Sequence, residues 1–127
     1  MKPTGYRTKE HGVAVKRYVQ LLDLKEDEAL IAAYRRHHSR GGVWQEILDG
    51  IRAVGILEME IYLLGNRAVM IVETHLTFDW EAAMARLATL PRQAEWEACV
   101  AAFQQCRADA ASDEKWQMAE RIFHLYE

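Results

Sequence analysis

Tyr34 and His38 stand four residues apart in the tract YRRHHSRGGVWQEIL, residues 34–48, which holds the richest set of chemically versatile side chains in the protein. On a helix that spacing brings a phenol and an imidazole to roughly 5–6 Å of one another on one face. Both can then touch one small polar ligand. Histidine gives and takes a proton near neutral pH, so His38 suits general acid or base work. It lies where Ser39, Arg40, Gly41 and Gly42 break the helix, and the negative end of the helix dipole is expected to raise its proton affinity. The same spacing equally suits a Tyr34 that only packs and a His38 that only caps the last carbonyls.

His37 lies about 100° around the helix from His38, so it is expected to face solvent. A metal site joining His37 or His38 to His75 or His124 has no spacing in its favour, and no metal is expected. The chain has four tryptophans, Trp44, Trp80, Trp96 and Trp116. An indole can lie against the C–H face of a sugar, although Trp80 and Trp96 on apolar helix faces equally suit packing. Glu73 lies within MIVETH and Glu120 within the last predicted strand. A carboxylate among apolar strand residues needs a partner or a ligand unless it faces water at an edge.

Several chemistries have no support. The chain lacks a G-x-G-x-x-G, a phosphate-binding P-loop, an H-E-x-x-H, paired C-x-x-C motifs and a G-x-S-x-G elbow. Dinucleotide oxidoreductases, P-loop kinases, zinc peptidases and α/β-hydrolases are therefore disfavoured. A net charge of −3, from 16 Lys and Arg against 19 Asp and Glu, gives no surplus for a phosphate backbone. Nucleic acid is not an expected partner, and the Arg35–Arg36–His37–His38 run reads as a solvated helix face. No stretch approaches the ~18 apolar residues of a membrane span, and the polar first twelve residues do not read as a secretory leader. Cys99 and Cys106, seven positions apart on a predicted helix, would stand about 10 Å apart, too far to bridge. A reducing compartment, the cytoplasm, is the expectation.

Elements that position these residues can be read from periodicity. Residues 1–12 form a flexible lead-in, and residues 13–127 a single domain. A strand is predicted over 15–24. Asp23 and Glu26 have capping-box spacing before a helix over 26–38. A second helix covers 43–53. Leu57, Met59, Ile61 and Leu63 alternate with Glu58, Glu60, Tyr62 and Leu64 in a half-buried strand, and Gly65–Asn66 turns it into an antiparallel partner over 67–75. Thr77 or Asp79 caps a helix ending at 87, and Pro91 opens another reaching about 107, with Trp96, Cys99, Val100 and Phe103 as its stripe. A polar loop precedes a last strand over 118–126. Strand, helix, strand, strand, helix, strand is the α+β ferredoxin-like pattern, an antiparallel sheet with helices on one face. The bare face calls for a second subunit, so a homodimer is expected.

Y-x-x-x-H, then W-x-E-I, an I-Y-L strand, an M-x-V-E strand, a late Trp and a closing E-x-x-F-x-L follow one another from Tyr34 to Leu125. Here they are Tyr34, His38, Trp44, Glu46, Ile47, Ile61, Tyr62, Leu63, Met70, Val72, Glu73, Trp96, Glu120, Phe123 and Leu125. In order and spacing this set resembles the L-rhamnose mutarotase family. The resemblance implies a dimeric ferredoxin-like fold of the α/β-barrel type, no metal and no organic cofactor. It also implies interconversion of the α and β anomers of a 6-deoxy-L-hexose. It makes His38 the proton donor, Tyr34 a sugar-binding phenol and Trp96 a stacking indole; Trp44 and Glu73, by their residue types, are expected as further substrate contacts. Met59 stands where the rhamnose branch has a tyrosine, Glu95–Trp96 where it has two tryptophans, and the linker after His38 is longer. These departures resemble the branch associated with L-fucose use, making L-fucose the first expectation and L-rhamnose the second. Two other readings fit the scaffold: a cofactor-free oxygenase or isomerase with an apolar pocket, and a non-catalytic regulatory dimer that binds a sugar without exchanging its anomers.

Overall fold

The computed structural model describes residues 3–104 and 115–126. Its elements run β1 (Val15–Asp23), α1 (Glu28–His37), α2 (Gln45–Ala53), β2 (Ile56–Leu64), β3 (Arg67–His75), α3 (Trp80–Leu87), α4 (Gln93–Ala101) and β4 (Gln117–Met118). The sheet order is β2-β3-β1-β4, and every neighbouring pair is antiparallel. This is the ferredoxin-like α+β arrangement read from the sequence.

Alternation along the strands decides which side is covered. Ala68, Met70, Val72 and Thr74 of β3 are buried, and Val69 and Ile71 between them are only half-buried. On the covered side Leu22, Ile56, Ala68, Met70 and Val72 form one core with Trp116, against which Ile51, Trp80, Met84 and Leu87 of the helices pack. A second core joins Leu24, Tyr34, Ile47, Trp96, Val100 and Phe103 beneath α1, α2 and α4. The register slips between Ile56 and Glu58. That bulge lets Ile56 and Met59, three residues apart, both serve the covered side.

Local sequence explains most boundaries. Asp27 caps α1 by accepting from the N–H groups of Ala29 and Leu30, so the cap is not the Asp23–Glu26 box expected. Asp23 is instead held in β1 by Arg67 across the sheet. Asp79 caps α3 through the Ala82 N–H. Pro91 lies ahead of α4 rather than inside its first turn, because Arg92 takes a left-handed φ of 63° as the cap residue. The helix predicted to reach 107 ends at Ala101, and Gln104 instead bridges Leu24 beside β1; residues 105–107, Cys106 among them, and most of the polar loop lie outside the described residues.

The last predicted strand is mostly absent. β4 pairs with β1 only at Gln20–Met118 and Leu21–Gln117, with one further bond from the Ala119 N–H to the Val19 carbonyl. Beyond it Ile122, Phe123, Leu125 and Tyr126 are exposed, at 90%, 74%, 69% and 87%. Alternating apolar residues make a stable strand only where a surface receives them, and the described residues leave these four side chains exposed.

Residues 3–12 form neither helix nor strand. They cross the other side of the sheet, where Tyr6 meets Tyr62 edge-on at 5.6 Å and the His11 imidazole lies 2.8 Å from the Glu73 carboxylate.

The glycine break after α1 is sterically required. A Cβ on Gly42 would run into the main-chain oxygens of Arg36 and His37, because the chain folds straight back over the helix end. Gly42→Ala is expected to lower stability on the order of 1–3 kcal/mol, read as a drop in the urea midpoint at unchanged m-value.

Candidate active site

Tyr34 and His38 meet as the periodicity predicts, with ring centroids 4.2 Å apart. Tyr34 is buried at 2% exposure, and His38 caps the helix. The main-chain N–H of His38 donates to the Tyr34 carbonyl at 3.2 Å, and its Nδ1 lies 2.9 Å from the same oxygen. A carbonyl can only accept, so Nδ1 carries the hydrogen. Nε2 is therefore the nitrogen left for chemistry. Capping and site geometry are here the same contact.

Trp96 of α4 closes the other side of the imidazole, edge-on at 5.7 Å. Behind it Trp44 meets Trp96 edge-on at 5.1 Å, and the Arg92 guanidinium lies over the Trp44 ring at 4.0 Å. Arg92 is held in turn by Glu46 at 3.4 Å and Glu95 at 3.5 Å. This chain of stacked groups fixes the wall against which His38 rests.

These side chains border a cavity of about 500 Å³ between the helices and the sheet, lined by Tyr34, His38, Met59, Trp96, Glu97 and Gln104 among others. Of the residues expected from sequence, Tyr34, His38 and Trp96 come together there. Trp44 does not line it and acts through Trp96. Glu73 is not brought to it. Alternation puts Glu73 on the opposite side of the sheet from Val72, where its carboxylate takes Arg17 at 2.7 Å and His11 at 2.8 Å. Those two partners hold the Glu73 pKa below its ordinary value. The buried strand carboxylate thus found a protein partner.

Two further expectations change. His37 does not face solvent: it is half-buried, 5.2 Å from the Phe103 ring and 6.1 Å from Trp96. Glu95 is exposed and tied to Arg92, so the carboxylate that enters the cavity from α4 is Glu97. Sequence reasoning passed over Glu97, although a charge directly ahead of the apolar run ACVAAF is a usable signal. Gln104, which hydrogen-bonds the Tyr34 side chain, and Lys115, which holds Glu97, had none.

Electrostatics set the protonation states. Burial lowers the His38 pKa, outweighing the Tyr34 carbonyl that favours the charged ring. The proton affinity expected from the helix dipole is overridden, and His38 rests neutral with a bare Nε2. Burial also raises the Tyr34 pKa, against the Gln104 hydrogen bond. Tyr34 is thus a hydroxyl donor, not a phenolate. Among the described residues no three His, Cys, Asp or Glu side chains converge as a metal site.

Comparison with known proteins bears on this site. Residues 17–125 match the family model described as L-rhamnose mutarotase. An L-fucose mutarotase of Xanthomonas campestris pv. campestris is 40% identical over 115 residues, 91% of this chain and 92% of that protein. A UPF0734 protein of Dictyostelium discoideum is 32% identical over 114 residues, covering 87% and 90%. The crystal structure of an L-rhamnose mutarotase from Formosa agariphila superposes with a TM-score of 0.64 at 16% identity, covering 87% of this chain and 98% of that one. At that identity the last comparison speaks for the fold alone. Among the described residues no helix is long and apolar enough to cross a membrane.

The tautomer can be read directly. In long-range ¹H–¹⁵N spectra at pH 7, His38 should show a protonated Nδ1 and an unprotonated Nε2. Its titration midpoint should fall below the ordinary 6.5 from which burial displaces it.

Proposed function

The chain belongs to the L-rhamnose mutarotase family, and from that premise we propose that it interconverts the α and β anomers of a 6-deoxy-L-hexose, with L-fucose ahead of L-rhamnose. Such an enzyme is an isomerase and needs only proton transfers around one carbon. The preference for L-fucose is supported by the 40% identical fucose-directed relative. The observation that carries the reading is the His38 imidazole, pinned at Nδ1 between Tyr34 and Trp96 with Nε2 unengaged by that bond.

Ring opening proceeds as follows. Nε2 of His38 takes the proton of the anomeric hydroxyl. The C1–O1 bond becomes a carbonyl, the C1–O5 bond breaks, and its electron pair passes to O5. The Tyr34 hydroxyl, kept protonated by burial, donates to that oxygen. Rotation about C1–C2 turns the other carbonyl face toward O5, and the same transfers run backwards on closure. His38 is thus acceptor on opening and donor on closing, and each positioned proton-transfer group contributes ~10²–10⁴-fold. Trp96 supplies an apolar wall for the ring C–H groups and the C6 methyl. Neither Trp44 nor Glu73 is assigned a contact with the sugar. The family match and the fucose-directed relative favour a sugar over the aromatic or lactone substrates of a cofactor-free oxygenase.

Two copies complete the molecule in this reading. Val19, Leu21, Val69 and Ile71 on the side of the sheet away from the helices are only half-buried, and the segment after β4 holds four large apolar side chains exposed. A second copy offering the same face and segment matches both by symmetry. A chain ending after Met118 should elute from size exclusion with half the mass of the full-length protein. A full-length chain that is already monomeric at micromolar concentration overturns this assembly. The cytoplasm, where Cys99 stays a free thiol, is the compartment this reading assigns.

His38→Ala should still fold, with a melting temperature lowered by loss of the Tyr34 carbonyl bond and the ring contacts, while anomer exchange of L-fucose, followed by saturation-transfer NMR, falls to the spontaneous rate. In the wild type, exchange should hold as pH drops toward 6.5 and decline below it. Burial depresses the His38 pKa, so the neutral, proton-accepting form persists below the ordinary midpoint and is lost only on further acidification. An unchanged rate in His38→Ala removes His38 from the mechanism.

A further inference from the structure

Ring opening uses His38 and Tyr34 and leaves one charged pair at the cavity unexplained. Glu97 lines the cavity from α4, one residue past Trp96. Lys115 stands behind it with its side chain 1% exposed, and donates Nζ to the Glu97 main-chain oxygen at 3.2 Å and to Oε2 at 2.9 Å. The Glu97 side chain itself is 29% exposed. Its charge is felt at Tyr34, where it adds to the upward displacement of the phenol pKa. Glu97 therefore acts on the same space as the two groups that handle the proton.

A buried ammonium is costly to desolvate, and well-packed apolar residues often serve stability as well or better. Lys115 and Glu97 are placed instead where a ligand would meet one face of the carboxylate. Lys115 occupies Oε2 from the protein side, and among the described residues Oε1 carries no hydrogen bond. What such a group recognises is a donor, and a hexose presents several hydroxyls. Hydrogen bonds from a hydroxyl to a carboxylate are among the strong ones. The proton acceptor for the anomeric hydroxyl is already present in Nε2 of His38, which leaves the Glu97 carboxylate the part of accepting a hydrogen bond from another hydroxyl.

We propose that Glu97, oriented by Lys115, is the hydroxyl acceptor that selects the configuration of the sugar ring. The assignment rests on the mutarotase reading and deepens it by naming what discriminates among epimers. A sugar that points a C–H at Glu97 leaves Oε1 without a donor while Oε2 stays on Lys115, and such a loss discriminates far more than a misfitting methyl group. Glu97 touches the substrate, and Lys115 is a positioning residue that acts through it. Glu95, one of the departures that resemble the fucose-directed branch, is exposed and tied to Arg92, so the carboxylate at the cavity is Glu97.

The test is anomer exchange on L-fucose and its 2-deoxy, 3-deoxy and 4-deoxy analogues, by saturation-transfer NMR, with wild type, Glu97→Gln, Lys115→Met and Lys115→Arg. Wild type should lose about 10–100-fold in kcat/KM on one analogue, the size of a charged hydrogen bond. Glu97→Gln should lose a similar factor on L-fucose, mostly in KM, and little more on that one analogue. Lys115→Arg should restore the discrimination that Lys115→Met weakens. Should Lys115→Met fail to fold, the wild-type analogue series still decides. Equal exchange of all three analogues and L-fucose by wild type overturns the assignment, as does a Glu97→Gln loss that is the same for every sugar. A wild type that exchanges none of the four overturns the mutarotase reading and the assignment with it, so the two failures are told apart.

Discussion

The Tyr34 carbonyl oxygen accepts twice from His38, once from its main-chain N–H and once from Nδ1. An α-helix leaves its last carbonyls without intrahelical partners, and α1 meets that need with the residue proposed to carry the chemistry. The consequence reaches well beyond the helix end. With Nδ1 committed, the tautomer is fixed and only Nε2 can work. With the ring plane fixed, Tyr34 packs against it at a tilt and Trp96 meets it edge-on. The sharp return at Gly42 then carries the chain into α2 without covering the imidazole.

A hydrogen bond and burial oppose one another at this residue. The carbonyl favours a charged ring, and removal from water favours a neutral one. Burial wins, as is common for a half-enclosed histidine. The same contest raises Tyr34. The two rings are thereby set in complementary states, one without a proton on its working atom and one keeping its own. Local helix-end reasoning supplies only one side of that contest, which is why it points the wrong way for His38.

The two sides of the sheet divide the protein's work. Helices cover one side and leave a cavity against Met59 and Met70, bordered by His38, Tyr34 and Glu97. The other side carries Glu73, held by Arg17 and His11, together with half-buried aliphatic side chains. One residue of strand register separates Val72 from Glu73, so a carboxylate that reads as a site residue in one dimension belongs to the other side in three. The segment after β4 repeats the lesson. Its alternation is real, but alternation is a demand for a surface, and the described residues leave Ile122, Phe123, Leu125 and Tyr126 exposed.

Much of this protein was legible in its residues because the signals are local and periodic. The i, i+4 relation of Tyr34 and His38, the glycine break after them, the alternation in β2 and β3 and the cap at Asp79 depend on backbone geometry that any chain obeys. From them came the element order, the ferredoxin-like class and the central pair of the site. The resemblance of the ordered motifs added the kind of reaction. Distances between elements were beyond such reasoning. That Glu97 rather than Glu95 enters the cavity depends on the rotation of α4, which Trp96, Val100 and the left-handed turn at Arg92 set together. That Glu73 pairs with His11, 62 residues away, depends on where the first residues cross the sheet. Charge states followed the same rule, because burial is a property of the assembled fold and of no single stretch of it.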